Sequence, residues 1–196
     1  MDEINFSDWG TGLLLFAVFS ISLAESLAVV GLLVPGVGLL LALTLAAAAG
    51  DIPLWLWVAC GTVGAFLGDG ISFLLGQRAG PAVHRWRFFQ RHPHWLTRGE
   101  AFFQRWGIWS IMTGRFIGPI RPVVPLVAGA MRMSSRQFWL ANAVSSPAWG
   151  MAYLATMYWL GEAFRDTFDL PVIAVVLAVA TLVALLVSLL INRRHG

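Results

Sequence analysis

Residues 108–130 read IWSIMTGRFIGPIRPVVPLVAGA, and how this stretch is read decides the fold. It is apolar enough for a membrane interior, yet it carries Arg115 and Arg121 and is broken by Pro119, Pro122 and Pro125. Proline removes an amide donor and disrupts helix. At membrane depth such a break is tolerated only where protein or water satisfies the freed backbone. The stretch is therefore expected to enter and leave on the same side, as a re-entrant hairpin. A proline-kinked full span is the alternative. A second stretch of this kind, residues 34–50, begins with Pro35 and Gly36 and is too short to cross.

The rest of the chain supports a membrane setting. Of its 196 residues, 58% are hydrophobic and only 12% charged, whereas about a quarter of a soluble domain is usually charged. That leaves too little polar surface for a water-facing globule. A spanning helix needs about 20 mostly apolar residues, and four stretches qualify: 9–33, 54–75, 138–160 and 170–191. The expected architecture is one all-α membrane domain with four transmembrane helices and two re-entrant hairpins. Each hairpin ends in an Ala-Gly pair (Ala49-Gly50, Ala128-Gly129) followed by a short turn and a full span, which suggests an inverted repeat of the transporter kind.

Charge placement orients this arrangement. All 13 basic residues are arginine, and Arg78, Arg85, Arg87, Arg91, Arg98 and Arg105 crowd residues 78–106. Arg193 and Arg194 close the chain, while residues 161–171 carry Glu162, Asp166 and Asp169 against Arg165. The positive-inside rule puts the central region and both termini in the cytoplasm. Arginines and aromatics alternate through 78–106, including Trp86, Phe89, Trp95 and Trp106. They read as interfacial amphipathic helices, apolar side in lipid and arginines toward anionic headgroups; a nucleic-acid patch fits poorly beside membrane segments. No basic residue precedes the first apolar stretch, so no cleavable signal is expected. Cys60 reads as a membrane-buried thiol.

Four charges fall inside the membrane elements: Glu25, Asp69, Arg115 and Arg121. Burying one ionised side chain at the bilayer centre costs at least ~2.5 kcal/mol, but two acids and two arginines sum to zero. They are expected to meet in a polar interior; the sequence leaves open which acid meets which arginine. Arginine forks suit phosphate, and a desolvated carboxylate can carry a proton, so Arg115 and Arg121 are candidates for substrate binding, Glu25 and Asp69 for charge pairing or proton coupling. The competing reading is that the pairs merely fasten hairpins to spans.

Gly114-Arg115-Phe116-Ile117-Gly118-Pro119-Ile120-Arg121-Pro122, with Ala128-Gly129, resembles the signature of the DedA family, also called the SNARE-associated or VTT domain. Gly64 to Asp69, running on to Phe73, Gly76 and Arg78, resembles its second motif, and Glu25 with Pro35-Gly36 its first. Asn142 and Trp149 sit where the family often has Asn and Trp. The resemblance covers about residues 20–162 and implies facing re-entrant hairpins and a lipid flippase or scramblase. It implies a substrate such as undecaprenyl phosphate or a glycerophospholipid in the bacterial inner membrane, with proton-motive-force dependence. Glu25, Asp69, Arg115 and Arg121 correspond to its acids and arginines, while Pro35, Gly36, Gly114, Gly118, Pro119, Pro122 and Gly129 shape the hairpins. Two positions depart from it: Val37 stands where an acid is frequent, and Phe73 where tyrosine is usual.

Catalysis is not expected. The chain has no lysine, His84, His92 and His94 lie in the basic region with His195 at the tail, and Ser110, Ser145 and Ser146 sit in no nucleophile motif. No cofactor or metal is called for. Expected partners are a membrane lipid, protons, and a second copy of the chain or lipid against 170–191. A non-transporting membrane scaffold is the alternative function.

Overall fold

The computed structural model describes residues 6–33, 36–50, 52–118 and 120–164, and all regular structure among them is helical. The expected span 170–191 lies outside the described residues, as do Arg165, Asp166, Asp169, Arg193, Arg194, His195 and two of the hairpin prolines, Pro35 and Pro119. The helices are α1 (Phe6–Ser26), α2 (Val30–Leu33), α3 (Gly36–Ala49), α4 (Leu54–Ala79), α5 (Arg87–Arg91), α6 (Pro93–Trp106), α7 (Ile108–Gly114), α8 (Val123–Ala130), α9 (Ser135–Gly150) and α10 (Thr156–Phe164). A 3₁₀ run, Gly80–Arg85, extends α4, and a π-helical turn, Met151–Ala155, joins α9 to α10.

Helix α4 is the axis of the molecule. With its 3₁₀ extension it is the one helix among the described residues long and apolar enough to cross a membrane. Small residues set its contacts, as is usual where lipid removes any hydrophobic drive between helices and close backbone approach must hold them. A Cβ on Gly64 would collide with the Phe19 carbonyl, and one on Gly68 would lie 2.7 Å from Cβ of Ser26. Gly61 faces Val18 and Ser22. These pairings run α1 parallel to α4. Higher on α4, a Cβ on Gly76 would strike the Leu126 carbonyl and one on Gly129 the Phe73 carbonyl, so α8 lies backbone to backbone along it.

Helices α9 and α10 run antiparallel to α4. The amide of Gln77 donates to Ser135 Oγ at 3.1 Å, Asn142 Nδ2 donates to the Phe66 carbonyl at 3.0 Å, and Leu154 reaches Gly61. Helix α3 packs along α10, where Gly161 faces Leu45 and Ala48 and Tyr158 Oη donates to the Ile52 carbonyl at 2.6 Å. Each half's short arm therefore rests on the other half's long helix, α8 on α4 and α3 on α10.

Several expected boundaries shift. Residues 9–33 are not one helix: α1 stops at Ser26 because Ser72 intervenes. Its Oγ donates to the Ser26 carbonyl at 3.1 Å and accepts the Ala28 amide at 3.0 Å, drawing both away from the helical ladder. Residues 34–50 contain a single arm, α3, so the chain reverses between α1 and α3 rather than within that stretch. Residues 108–130 do fold as two short helices around a non-helical tip, 115–122. Residues 138–160 lie inside a longer helical run that begins at Ser135, where Ser134 Oγ accepts the Gln137 amide, and passes through Pro147 and the π turn.

The central region also differs from expectation. The apolar side of α6 lies on protein. Leu96 and Phe89, each 2% exposed, join Val83, Val123, Leu126 and Val127 in one cluster, and Gly99 fits against Val123 and Val127. Its exposed groups include Arg98, Arg105 and Trp106. His84 and Glu100, 2.9 Å apart, tie the 3₁₀ run to α6. The α8–α9 turn adds exposed Arg132 and Arg136 to this basic end. Arg132 adopts φ 59°, and the amides of Met133 and Arg132 return to the carbonyls of Ala128 and Gly129. That is a left-handed helix stop, a place where glycine is usual.

Candidate functional site

The tip between α7 and α8 brings both arginines into the interior. Its amides are satisfied locally: Phe116 and Ile117 donate to Thr113 and Gly114, and Ile120 and Arg121 both donate to Ile117. Such bonds are what a membrane interior would require, since in hydrocarbon every polar main-chain group must find its partner inside the protein. Gly114 closes the base of the tip against Val124 and Phe102. Gly118 is exposed with nothing near its α-carbon's open side. Pro122 starts α8 with φ −75°, the value a helix needs.

All four candidate charges are buried, with relative exposures of 7% for Glu25, 3% for Asp69, 4% for Arg115 and 5% for Arg121. Arg115 pairs with Asp69 of α4 through Nη2. The same nitrogen donates to Asn142 Oδ1 at 3.1 Å. Arg121 pairs with Glu25 of α1, Nη1 to Oε1 at 3.0 Å, and its Nη2 donates to Ser26 Oγ at 3.1 Å. Its guanidinium lies over the indole of Trp149, 4.2 Å from the ring centroid, within the range of a cation–π contact. Trp149 in turn stacks on Tyr153, 5.8 Å between centroids. Gly36 lies directly against Glu25, where a Cβ would stand 2.7 Å from its carboxyl carbon.

The forks are only partly used. Arg115 Nε and Nη1, Arg121 Nε, Glu25 Oε2 and Asp69 Oδ1 are buried and have no hydrogen-bond partner among the described residues. These spare groups, donors and acceptors together, belong to residues of α1, α4 and the tip that are joined by the two ion pairs, with Asn142 of α9 beside them. A purely structural ion pair is best served by full pairing, since each buried group left unpaired costs about 1–3 kcal/mol, and more when charged.

Residue reading alone found the four charges but not their supports. Ser26 anchors Arg121. Asn142 holds Arg115 and is itself fixed by Ser146 Oγ, which donates to its Oδ1 at 2.9 Å. Asn142, Ser146 and Trp149 fall at i, i+4 and i+7 on one face of α9, a polar stripe whose spacing was visible in the sequence. Phe73 stacks on Phe138, 3.9 Å between centroids, in an apolar cluster with Ile111, Val124 and Met133. The side chain of Val37 lies outside the described residues.

Comparison with known proteins follows the same lines. The sequence pattern of the VTT domain matches residues 34–159, well over half of the chain. The chain is 35% identical over 158 residues to the inner membrane protein YabI of Escherichia coli, a match covering 80% of this chain and 60% of YabI. It is 33% identical over 144 residues to an uncharacterized membrane protein of Buchnera aphidicola, covering 71% and 54%. With one from Mycobacterium leprae it shares 35% identity over 133 residues, covering 66% and 59%. The chain thus spans between about half and two thirds of the length of these relatives. No solved structure matches it.

Proposed function

The chain belongs to the VTT-domain (DedA) family of membrane proteins, and on that premise we propose that it moves a phosphate-bearing lipid across the bacterial inner membrane. One observation carries this reading: two arginines are buried on carboxylates while Arg115 keeps Nε and Nη1 unspent and Arg121 keeps Nε. A guanidinium presents a planar, bidentate donor set that matches phosphate oxygens. A headgroup arriving between Arg115 and Arg121 takes the spare N–H groups, and Glu25 and Asp69 neutralise the site when it leaves. A buried ion pair seldom stabilises more than an apolar replacement would, so two of them in one small interior favour a working site over a fastening.

The architecture we infer around it has four spans: α1 with its α2 extension, α4, the α9–α10 run, and residues 170–191. The α7–α8 pair is a re-entrant hairpin from the basic face, and the reversal leading into α3 is its inverted counterpart. The crossed packing of α8 on α4 and α3 on α10 supports an inverted repeat. Exposed arginines at the α4 C-terminal end support a cytoplasmic position for that face, and an even number of spans brings both termini to the same side. The protein acts on its substrate by position and charge, without a covalent step or a cofactor. A glycerophospholipid and a polyprenyl phosphate such as undecaprenyl phosphate share the phosphate the site would hold, and proton coupling would fall to Glu25 and Asp69.

Reconstitution tests the proposal. In liposomes the protein is expected to accelerate transbilayer movement of a fluorescent glycerophospholipid, a polyprenyl phosphate, or both. Movement of neither lipid, with and without a pH gradient, refutes transport and favours the membrane-scaffold reading.

A further inference from the structure

Beyond the arginine pair, four more buried polar atoms have no hydrogen-bond partner among the described residues: Ser22 Oγ, Thr62 Oγ1, Ser145 Oγ and Trp149 Nε1. Their positions are not scattered. Ser22 precedes Glu25 by about one turn of α1, Thr62 precedes Asp69 by two turns of α4, and Ser145 and Trp149 follow Asn142 by one and two turns of α9. Because α1 is parallel and α9 antiparallel to α4, all four fall on the same side of the charges, away from the basic end. Two of them face a neighbouring helix: Ser22 Oγ is 3.4 Å from where a Cβ of Gly61 would stand, beside Leu154 and Val18, and a Cβ on Gly150 would collide with the Thr62 hydroxyl. The Trp149 ring lies under Arg121.

A helical serine or threonine ordinarily satisfies its hydroxyl by bonding the carbonyl four residues back. Thr44, Thr97 and Thr113 all do so here. Ser22, Thr62 and Ser145 do not, although Ser22 is 0% and Ser145 2% exposed. Trp149, 1% exposed, leaves its N–H unused, while buried Trp57 spends its own on Thr44 at 3.1 Å. Around these polar atoms pack Val18, Trp57, Val58 and Leu154, and on the other side of the charges lies a second apolar cluster. There Phe73, Phe138, Ile111 and Val124 close an apolar cluster toward the basic end.

We propose that Ser22, Thr62, Ser145 and Trp149 line a hydrated chamber through which the arginine pair is reached from the face opposite the basic end. Water is the occupant their chemistry fits. Three hydroxyls both donate and accept, the indole donates, and a buried water needs about 2–4 such partners. The chamber continues into the spare atoms of Glu25, Asp69, Arg115 and Arg121, so hydration and the charged site would form one polar volume. Its purpose as the way in rests on the function proposed above, whereas its wetness does not, and the experiment reads wetness.

Substituted cysteines in a Cys60→Ala background test this with an anionic, membrane-impermeant methanethiosulfonate applied to right-side-out and inside-out membrane vesicles. Thr97→Cys, on exposed α6, marks the basic face. Ala128→Cys, at a 0% exposed apolar position, sets the dry baseline. Ser22→Cys and Ser145→Cys are expected to react about tenfold or more faster than Ala128→Cys, because thiol reactivity follows water access. They should do so in the vesicles where Thr97→Cys is protected. Should Ser22→Cys not yield a monodisperse protein, Ser145→Cys and Thr62→Cys carry the same reading from the other two helices. Rates no faster than the baseline in either vesicle, or reaction only alongside Thr97→Cys, overturn the proposal. A non-transporting protein that still labels as expected would refute transport and leave the chamber standing.

Discussion

Removing Asp69 should expose what holds the hairpin tip in place. Asp69→Ala leaves Arg115 buried at 4% exposure with Asn142 as its remaining hydrogen-bond partner. An uncompensated buried charge costs about 3–5 kcal/mol. For a chain of 150–250 residues, each kcal/mol moves the midpoint of thermal unfolding by about 2–4 °C, so a drop of roughly 6–20 °C is expected. Arg115→Ala should also destabilise, by stranding the carboxylate. The double variant removes both charges, and its cost should fall short of the sum by about 0.5–3 kcal/mol, the range for residues in contact. The assay is thermal unfolding in detergent followed by circular dichroism, on all four proteins under one condition. A melting point for Asp69→Ala within about 2 °C of the wild type, or strict additivity in the cycle, would refute a dry interior pairing of Asp69 with Arg115.

Other perturbations separate support from chemistry. Arg121→Lys keeps the charge but loses the planar fork; lipid flux in liposomes should fall at least about tenfold while the protein still accumulates in the membrane, whereas loss of the protein itself would point to fastening alone. Trp149→Leu removes the ring beneath Arg121, a contact worth about 0.5–2 kcal/mol, and flux should fall further than with Trp149→Phe, which keeps an aromatic face. Gly129→Val should abolish folded protein, as judged by size-exclusion chromatography, because its side chain meets the Phe73 carbonyl. Arg132→Gly relieves a left-handed residue and should raise stability by about 1 kcal/mol, read as a higher unfolding midpoint.

The features most legible in the sequence were those whose cause is local. Three prolines and two arginines in 108–130 announce a broken element, and the helices do break between Gly114 and Val123. The start of α4 at Leu54 follows directly after Pro53, where helices readily begin. The interruption of α1 was illegible because its agent, the Ser72 hydroxyl, is 46 residues away. The same holds for α6, whose apolar stripe states that something covers it but not whether lipid or protein does. Charge neutrality among Glu25, Asp69, Arg115 and Arg121 implied convergence, but the pairing of Asp69 with Arg115 and Glu25 with Arg121 needed the packing of α1 and α8 against α4. Asn142 and Trp149 showed as family positions on one face of α9, but their roles arise from the guanidinium groups placed beside them.

Central to all of this is a phosphate held by Arg115 and Arg121 in the membrane interior. Binding of a short-chain phosphate-bearing lipid to the purified protein in nanodiscs measures this directly, by titration calorimetry. Saturable binding is expected, lost in Arg115→Gln and Arg121→Gln variants that remain folded. Undiminished binding in both variants would contradict it.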